Sequence, residues 1–327
     1  MRPERVAAIV IGLAIGAAVI WFSHPADVWE SAQEVDVLPL LGALVVNIPV
    51  VALRAVRAQV ILNFLGYKVP FWTMVPVQLV GQTSSSITPA ASGDYVRAYL
   101  WRRRQEIPLP AGAAVVTFER VYSLFLLVAV AVLLIALPRH GSIGWIGVAV
   151  GLGAATLAPF ILELATPPAL EAGILNRVAS GRFLARFGEA AAQTVESLRR
   201  LLRSPLVLVE TSAITLVVFV FSGLQVALLL SGLGDSVRIT QAVAVYATSQ
   251  VAGILSTLPF GLGASDAILV TVLAGYGAAA ADAATTALLF RAVSTVPQAL
   301  AGLVAYLRLD HGVAPEPIAP AADRVTK

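Results

Sequence analysis

The feature that most constrains this chain is a series of apolar runs of membrane-spanning length. Val6 to Phe22 and Val37 to Leu53 pass without a charged residue, and Leu109 to Leu137, Ser142 to Ala165, Leu206 to Leu230 and Ala281 to Leu307 carry very few. About twenty mainly apolar residues span a bilayer as a helix, and no long period-two alternation suggests a barrel. Only 13% of the 327 residues are charged, against about 25% in soluble domains. The expected fold class is therefore an all-α polytopic membrane protein, with about six full spans.

Two further apolar segments are interrupted. Phe71 to Ala90 holds Pro76, Gln78, Gln82 and a hydroxyl cluster ending TSSSITPAASGD, and Gln241 to Pro259 leads into PFGLGASD. With a cytoplasmic N-terminus and both segments re-entering rather than crossing, most of the 22 Lys and Arg residues fall on the cytoplasmic side. That is the distribution cytoplasmic loops carry. It places both termini in the cytoplasm and the protein in the cell (inner) membrane. Arg54, Arg57 and Lys68 then follow the second span, and Arg97 and Arg102 to Arg104 read as cytoplasmic anchors on anionic lipid.

One membrane domain is expected over 1–327. It comprises an N-terminal helix and external loop (1–36), a first half (37–165), a basic amphipathic cytoplasmic segment (166–204), a second half (205–309) and a disordered tail (310–327). The basic segment carries Arg177, Arg182, Arg186, Arg199, Arg200 and Arg203, with Leu175, Phe183, Leu184, Phe187, Leu198 and Leu201 as an apolar stripe, and suits the headgroup plane.

The two interruptions repeat one pattern. Pro89 and Gly93, like Pro259 and Gly263, frame a Pro-x-x-x-Gly run, and Asp94 or Asp266 follows. Arg120 follows Gly93, and Arg291 follows Gly263, at spacings that agree to one residue. Under the assigned topology one break enters from the cytoplasm and the other from outside. Inverted repeats with broken helices build many secondary transporters, with substrate bound at the breaks. Irregular backbone at membrane depth must be buried in protein or line a cavity. Ser92 or Gly93 is expected to precede a helix starting near Asp94, with Ser265 and Asp266 capping the equivalent start, and free N–H groups there attract phosphate.

Charge inside a membrane costs about 2.5–3.5 kcal/mol per residue on insertion scales, so Arg120 and Arg291 need partners. Two readings stand for them: a fork on a lipid phosphate, or an ion pair, Arg120 with Asp94 or Glu119 and Arg291 with Asp266 or Asp282. Asp94 and Asp266 either carry protons or contact a cationic group, or simply complement a helix dipole. The hydroxyls from Thr83 to Ser86 either hydrate a groove or satisfy backbone.

Several classes drop out. Cys is absent, which excludes disulfides and thiol chemistry. His24, His140 and His311 lie at or beyond expected membrane edges, leaving no intramembrane His for a metal. Gly151 to Gly153 has no preceding strand, so it reads as close helix packing rather than a nucleotide loop. No cofactor, no nucleic-acid partner and no catalytic residue is expected.

The Pro89–Gly93–Asp94–Arg97 run, the Glu119–Arg120 pair, and the Pro259–Gly261–Gly263–Asp266 run followed by LLFR at Arg291 carry a resemblance. Over about residues 35 to 308 the chain resembles the lysylphosphatidylglycerol synthase transmembrane region family, also called the flippase-like domain family. That resemblance implies movement of a lipid between leaflets, and relatives linked to polyprenyl-phosphate sugar metabolism. The soluble aminoacyl-transfer domain of its best-known members has no counterpart before Lys327, so synthase activity is not expected. The pattern departs in Asp94 and Asp266, where Glu is commoner, and in Pro-Ala-Ala after the first break. The expected substrate site comprises Ser92, Gly93, Asp94, Arg97, Glu119, Arg120, Gly263, Ser265, Asp266 and Arg291. The leading expectation is a flippase or transporter of an anionic or polyprenyl-linked lipid, with membrane lipids as partners. The alternatives are a carrier of a small soluble anion, or a non-transporting partner of a glycosyltransferase or aminoacyltransferase.

Overall fold

The computed structural model describes residues 25–136, 149, 151, 153, 182–256, 258 and 261–310. The expected helix over Val6 to Phe22, most of the Ser142 to Ala165 span and the tail beyond 310 lie outside them.

Every regular element among the described residues is helical. A short α1 (Pro25–Gln33) leads to α2 (Val37–Val45), whose start is capped by the Asp36 carboxylate accepting the Leu38 N–H at 3.0 Å. It runs into α3 (Asn47–Phe64) across a joint at Val46. Pro49 cannot donate to the carbonyl four residues back. Asn47 ties the joint instead, its amide donating to the carbonyls of Leu44 and Val293. Together α2 and α3 make a 28-residue apolar segment, about 42 Å long at 1.5 Å per residue. Comparable lengths occur in α6 (Leu109–Ala136), α8 (Pro205–Ser231) and the composite Ala280–Leu309.

The interrupted segments are hairpins. In the first, α4 (Phe71–Ile87) stops at Thr88, whose extended backbone (φ −99°, ψ 143°) is what a residue before proline adopts. A 3₁₀ turn over Pro89–Tyr95 reverses the chain into α5 (Val96–Gln105). The arms run antiparallel, with Gly93 packed on Ser84 and Arg97 bonded to Gln78. In the second, α9 (Ile239–Leu255) returns as α10 (Ala264–Gly275) through Gly261 and Gly263, at φ 62° and 80°. Those angles suit only glycine comfortably. Each hairpin is followed by a long helix, α6 in the first half and α11 (Ala280–Phe290) in the second. A π turn over Arg291–Thr295 joins α11 to α12 (Val296–Asp310). Pro297 withholds a donor there, and such π turns gather at functional sites.

The two halves interlock. Asp36 N–H donates to Gly232 O, Gln225 to Ala43 O and Arg57 to Thr215 Oγ1, so α2–α3 and α8 lie antiparallel. The first hairpin opens beside the C-terminal end of α3 and the second beside the C-terminal end of α8. Their open ends therefore lie at opposite ends of the bundle. Packing is reciprocal too: α4 lies against α12 of the other half, and α9 lies against α6. The α4–α12 crossing is close enough that a β-carbon on Gly302 would strike the Thr83 hydroxyl, the small-residue packing expected between membrane helices. Gly151 similarly sits where a β-carbon would fall 3.0 Å from the Ala129 carbonyl.

Two expectations are corrected here. The helix after the first break starts at Val96 rather than near Asp94, because Pro89 opens a 3₁₀ turn that lasts to Tyr95. The basic segment packs against the spans. Its described part, α7 (Arg182–Leu202), packs on α6 and α8, and Leu198, Leu201 and Leu202 are buried in the main apolar core. The second correction is that Arg54 and Arg57 do not follow a span; they lie in the middle of α3.

Candidate functional site

Both hairpin tips border one cavity of about 580 Å³, walled also by α3, α6, α8 and the π turn. Its size falls within the usual range for ligand sites. Its polarity follows from local chain chemistry. The hydroxyl cluster serves the break first. Thr88 Oγ1 donates to Ser84 O at 2.9 Å and accepts the Gly93 N–H at 2.6 Å. Ser85 and Ser86 both donate to Gln82 O, and Thr83 reaches the Gln298 carbonyl at 3.3 Å. Thr83, Ser85, Ser86 and Thr88 also face the cavity. Backbone satisfaction and groove lining are thus the same residues' work.

On the first-half wall, charges alternate along a chain of five. Arg57 Nε lies 2.9 Å from Glu119 Oε1, and Arg97 Nη1 lies 2.7 Å from Glu119 Oε2. Arg97 then grips Asp94, Nε to Oδ1 at 2.7 Å and Nη2 to Oδ2 at 2.8 Å. Arg120 Nε reaches the same Oδ2 at 2.9 Å. The order is Arg57, Glu119, Arg97, Asp94, Arg120, with an arginine at each end. Gln78 Oε1 accepts from Arg97 Nη1 at 2.7 Å, and the Arg97 guanidinium lies 5.5 Å from the centre of the Trp101 ring, a cation–π contact.

The second-half wall is simpler. Arg291 makes a two-pronged contact with Asp266, Nε to Oδ1 and Nη2 to Oδ2, both at 2.7 Å, and Nη2 also meets Ser265 Oγ at 3.1 Å. Asp266 Oδ2 additionally accepts the Gly263 N–H at 3.0 Å, so it caps α10. Ser265 does not cap; its hydroxyl donates to Gly261 O at 2.8 Å.

The structure brings Asp94, Arg97, Glu119, Arg120, Ser265, Asp266 and Arg291 to the cavity wall. Ser92 is exposed, and Gly93 and Gly263 shape the tips. The ion-pair reading of the buried arginines is realised, Arg120 with Asp94 and Arg291 with Asp266; Asp282 instead accepts the Ser31 hydroxyl at 2.6 Å. The reading of Arg97 as a lipid anchor is overturned. Its side chain is 1% exposed and held by two carboxylates. On α5 it faces α4 and α6, whereas Arg102 and Arg104 face outward.

Sequence reasoning missed Arg54, Arg57, Gln82 and Ser123, all on the cavity wall. Arg54 Nη1 donates to Gln82 Oε1 at 3.0 Å, and Arg57 Nη1 to Ser123 Oγ at 3.0 Å. The available signal was spacing: Arg54 and Arg57 sit three apart, one face of a helix, inside what proved a 28-residue helix.

The halves match at the Arg–Asp pair and diverge around it. The residue three after the acid is Arg97 in one half and Leu269 in the other, and the residue before the buried arginine is Glu119 or Phe290. All four line the cavity.

Residues 9–302 match the model of a family described as Lysylphosphatidylglycerol synthase TM region. Curated relatives include a UPF0104 membrane protein of Methanothermobacter thermautotrophicus, 24% identical over 90% of this chain and 92% of that protein. Another UPF0104 membrane protein, from Methanocaldococcus jannaschii, is 23% identical over 81% of this chain and 83% of its own length. A glycosyltransferase, AglD of Haloferax volcanii, is 29% identical over 43% of this chain, which spans only 23% of that protein.

Proposed function

The chain belongs to the Lysylphosphatidylglycerol synthase TM region family, and from that premise we propose that it carries a lipid with an anionic headgroup between leaflets. The headgroup passes through the cavity between the two hairpin tips while acyl or prenyl tails stay in the bilayer. The observation that carries the reading is charge: among the described residues, five arginines and three carboxylates line the cavity. A cationic substrate gains nothing from that surplus, whereas an anionic one relieves it.

The two hairpins, opening at opposite ends of the bundle, suit an inverted repeat in which each tip seals one side in turn. In this reading the protein is a multi-pass carrier of the cell membrane with cytoplasmic termini, and its groove acts by binding rather than by catalysis. A second reading draws on the glycosyltransferase AglD: the chain serves as the membrane partner of a glycosyl transferase and moves nothing itself.

Reconstitution into liposomes with headgroup-labelled lipids separates the two. Transport predicts movement of an anionic lipid between leaflets for the wild type and its loss in Asp266→Asn and Arg120→Gln, with both variants folded. No movement of any anionic or polyprenyl-phosphate lipid by the wild type overturns the carrier reading.

A further inference from the structure

The cavity's charge surplus is not spread evenly. Asp266 and Arg291 balance each other on the second-half wall. The first-half wall holds Arg54, Arg57, Arg97 and Arg120 against Asp94 and Glu119 alone, a surplus of two positive charges among the described residues. Arg97 lies at ion-pair distance from both acids, so the surplus resides on the other three arginines.

Arg54 has no carboxylate within ion-pair distance among the described residues; its one hydrogen bond goes to the neutral Gln82. Arg120 is joined to Asp94 through Nε, which leaves its two Nη groups free of hydrogen bonds to the described residues. Its side chain is 31% exposed. Arg57 closes the far end of the ion chain, and the Ser123 hydroxyl stands beside it at 3.0 Å. Guanidinium forks with free Nη donors are what phosphate oxygens bind best.

We infer that this wall is a binding site for a phosphate group bearing two negative charges, a phosphomonoester or a diphosphate esterified at both ends, held by Arg54 and Arg120 with Arg57 behind them. A phosphodiester carries one charge and leaves one arginine uncompensated; a phosphomonoester, with its second ionisation near pH 6, carries about two at neutral pH. A two-charge phosphate completes the alternation that Arg57–Glu119–Arg97–Asp94–Arg120 begins. Leu269 and Phe290 stand at the matching places of the second half, where the Asp266–Arg291 pair leaves no net charge, so the phosphate has one preferred wall. The inference rests on the carrier reading only for the statement that the phosphate belongs to a lipid.

The test uses the full chain in detergent at low ionic strength, with three probes: dioctanoyl phosphatidic acid, dioctanoyl phosphatidylglycerol and the soluble monoester glycerol 3-phosphate. The monoester is expected to bind about tenfold tighter than the diester. Arg54→Gln, which breaks only a bond to Gln82, is expected to bring the two within about threefold, and Arg54→Lys to restore part of the difference. Equal binding of monoester and diester by the wild type, or an unchanged ratio in Arg54→Gln, overturns the two-charge site while leaving lipid transport standing. Binding of glycerol 3-phosphate with neither lipid bound supports the two-charge site and overturns the lipid carrier. Binding of none of the three overturns the site.

Discussion

Glu119 is the hinge of the ion chain, and Glu119→Gln tests it. The carboxylate is 1% exposed and divides its two oxygens between Arg57 and Arg97, at 2.9 and 2.7 Å. Neutralising it removes one of two acids on that wall among the described residues. Arg97, itself 1% exposed, then depends on Asp94, which also serves Arg120. Breaking one partner of a buried pair costs about 3–5 kcal/mol, because the other charge stays buried. Glutamine keeps the shape and one carbonyl acceptor but turns an amide donor toward the second arginine. The expected loss is therefore about 2–4 kcal/mol, an apparent melting temperature lower by about 3–6 °C for a chain of this size. Thermal unfolding in detergent reads this directly. A cycle with Arg57→Gln adds the mechanism: the double variant should lose less than the sum of the singles, with a coupling of about 1–3 kcal/mol. A Glu119→Gln protein within about 1 °C of wild type, or strictly additive singles, refutes the chain as a structural unit.

Two further outcomes follow from the hairpins. Gly93→Ala drives a β-carbon into the Ser84 carbonyl, and backbone cannot swing aside as a side chain can. A loss of about 1–3 kcal/mol or more is expected, measured as reduced melting temperature and folded yield; an unchanged protein means that the tip does not close as described. The chain has no cysteine, so single cysteines report sidedness cleanly. Ser231→Cys beside the second hairpin's open end and Arg102→Cys beside the first should label with an impermeant maleimide from opposite faces of the membrane. Labelling from one face refutes the opposed hairpins.

The legible part of this fold was local. Pro89 ends a helix because proline lacks a donor and restrains its predecessor, and glycines beside each break admit the positive φ that Gly261 and Gly263 adopt, so both breaks could be found without a structure. The pairings Arg120–Asp94 and Arg291–Asp266 were legible only among alternatives, beside Glu119, Asp282 and a lipid phosphate. Charge at membrane depth must be matched, and few acids lie within reach.

Arg97 was misread because proximity in the chain to Arg102, Arg103 and Arg104 suggested a shared environment. On α5, helical rotation turns Arg97 toward α4 and α6 while Arg102 and Arg104 face outward. Arg54 and Arg57 were misread because hydropathy ends a span at the first charges. Here the helix runs on to Phe64, and Glu119, Ser123 and Thr215 on two other helices receive Arg57.

By itself, then, the sequence determined a helical membrane protein with two glycine–proline breaks, each followed by an acid and a distant buried arginine. Those traits depend on backbone geometry and on the cost of charge in hydrocarbon, both readable within a short window. Only the tertiary structure decided that, among the described residues, the first-half cavity wall collects four arginines around two acids while the second-half wall balances one with one. That asymmetry exists between helices far apart in the chain, where packing rather than periodicity sets which charges meet.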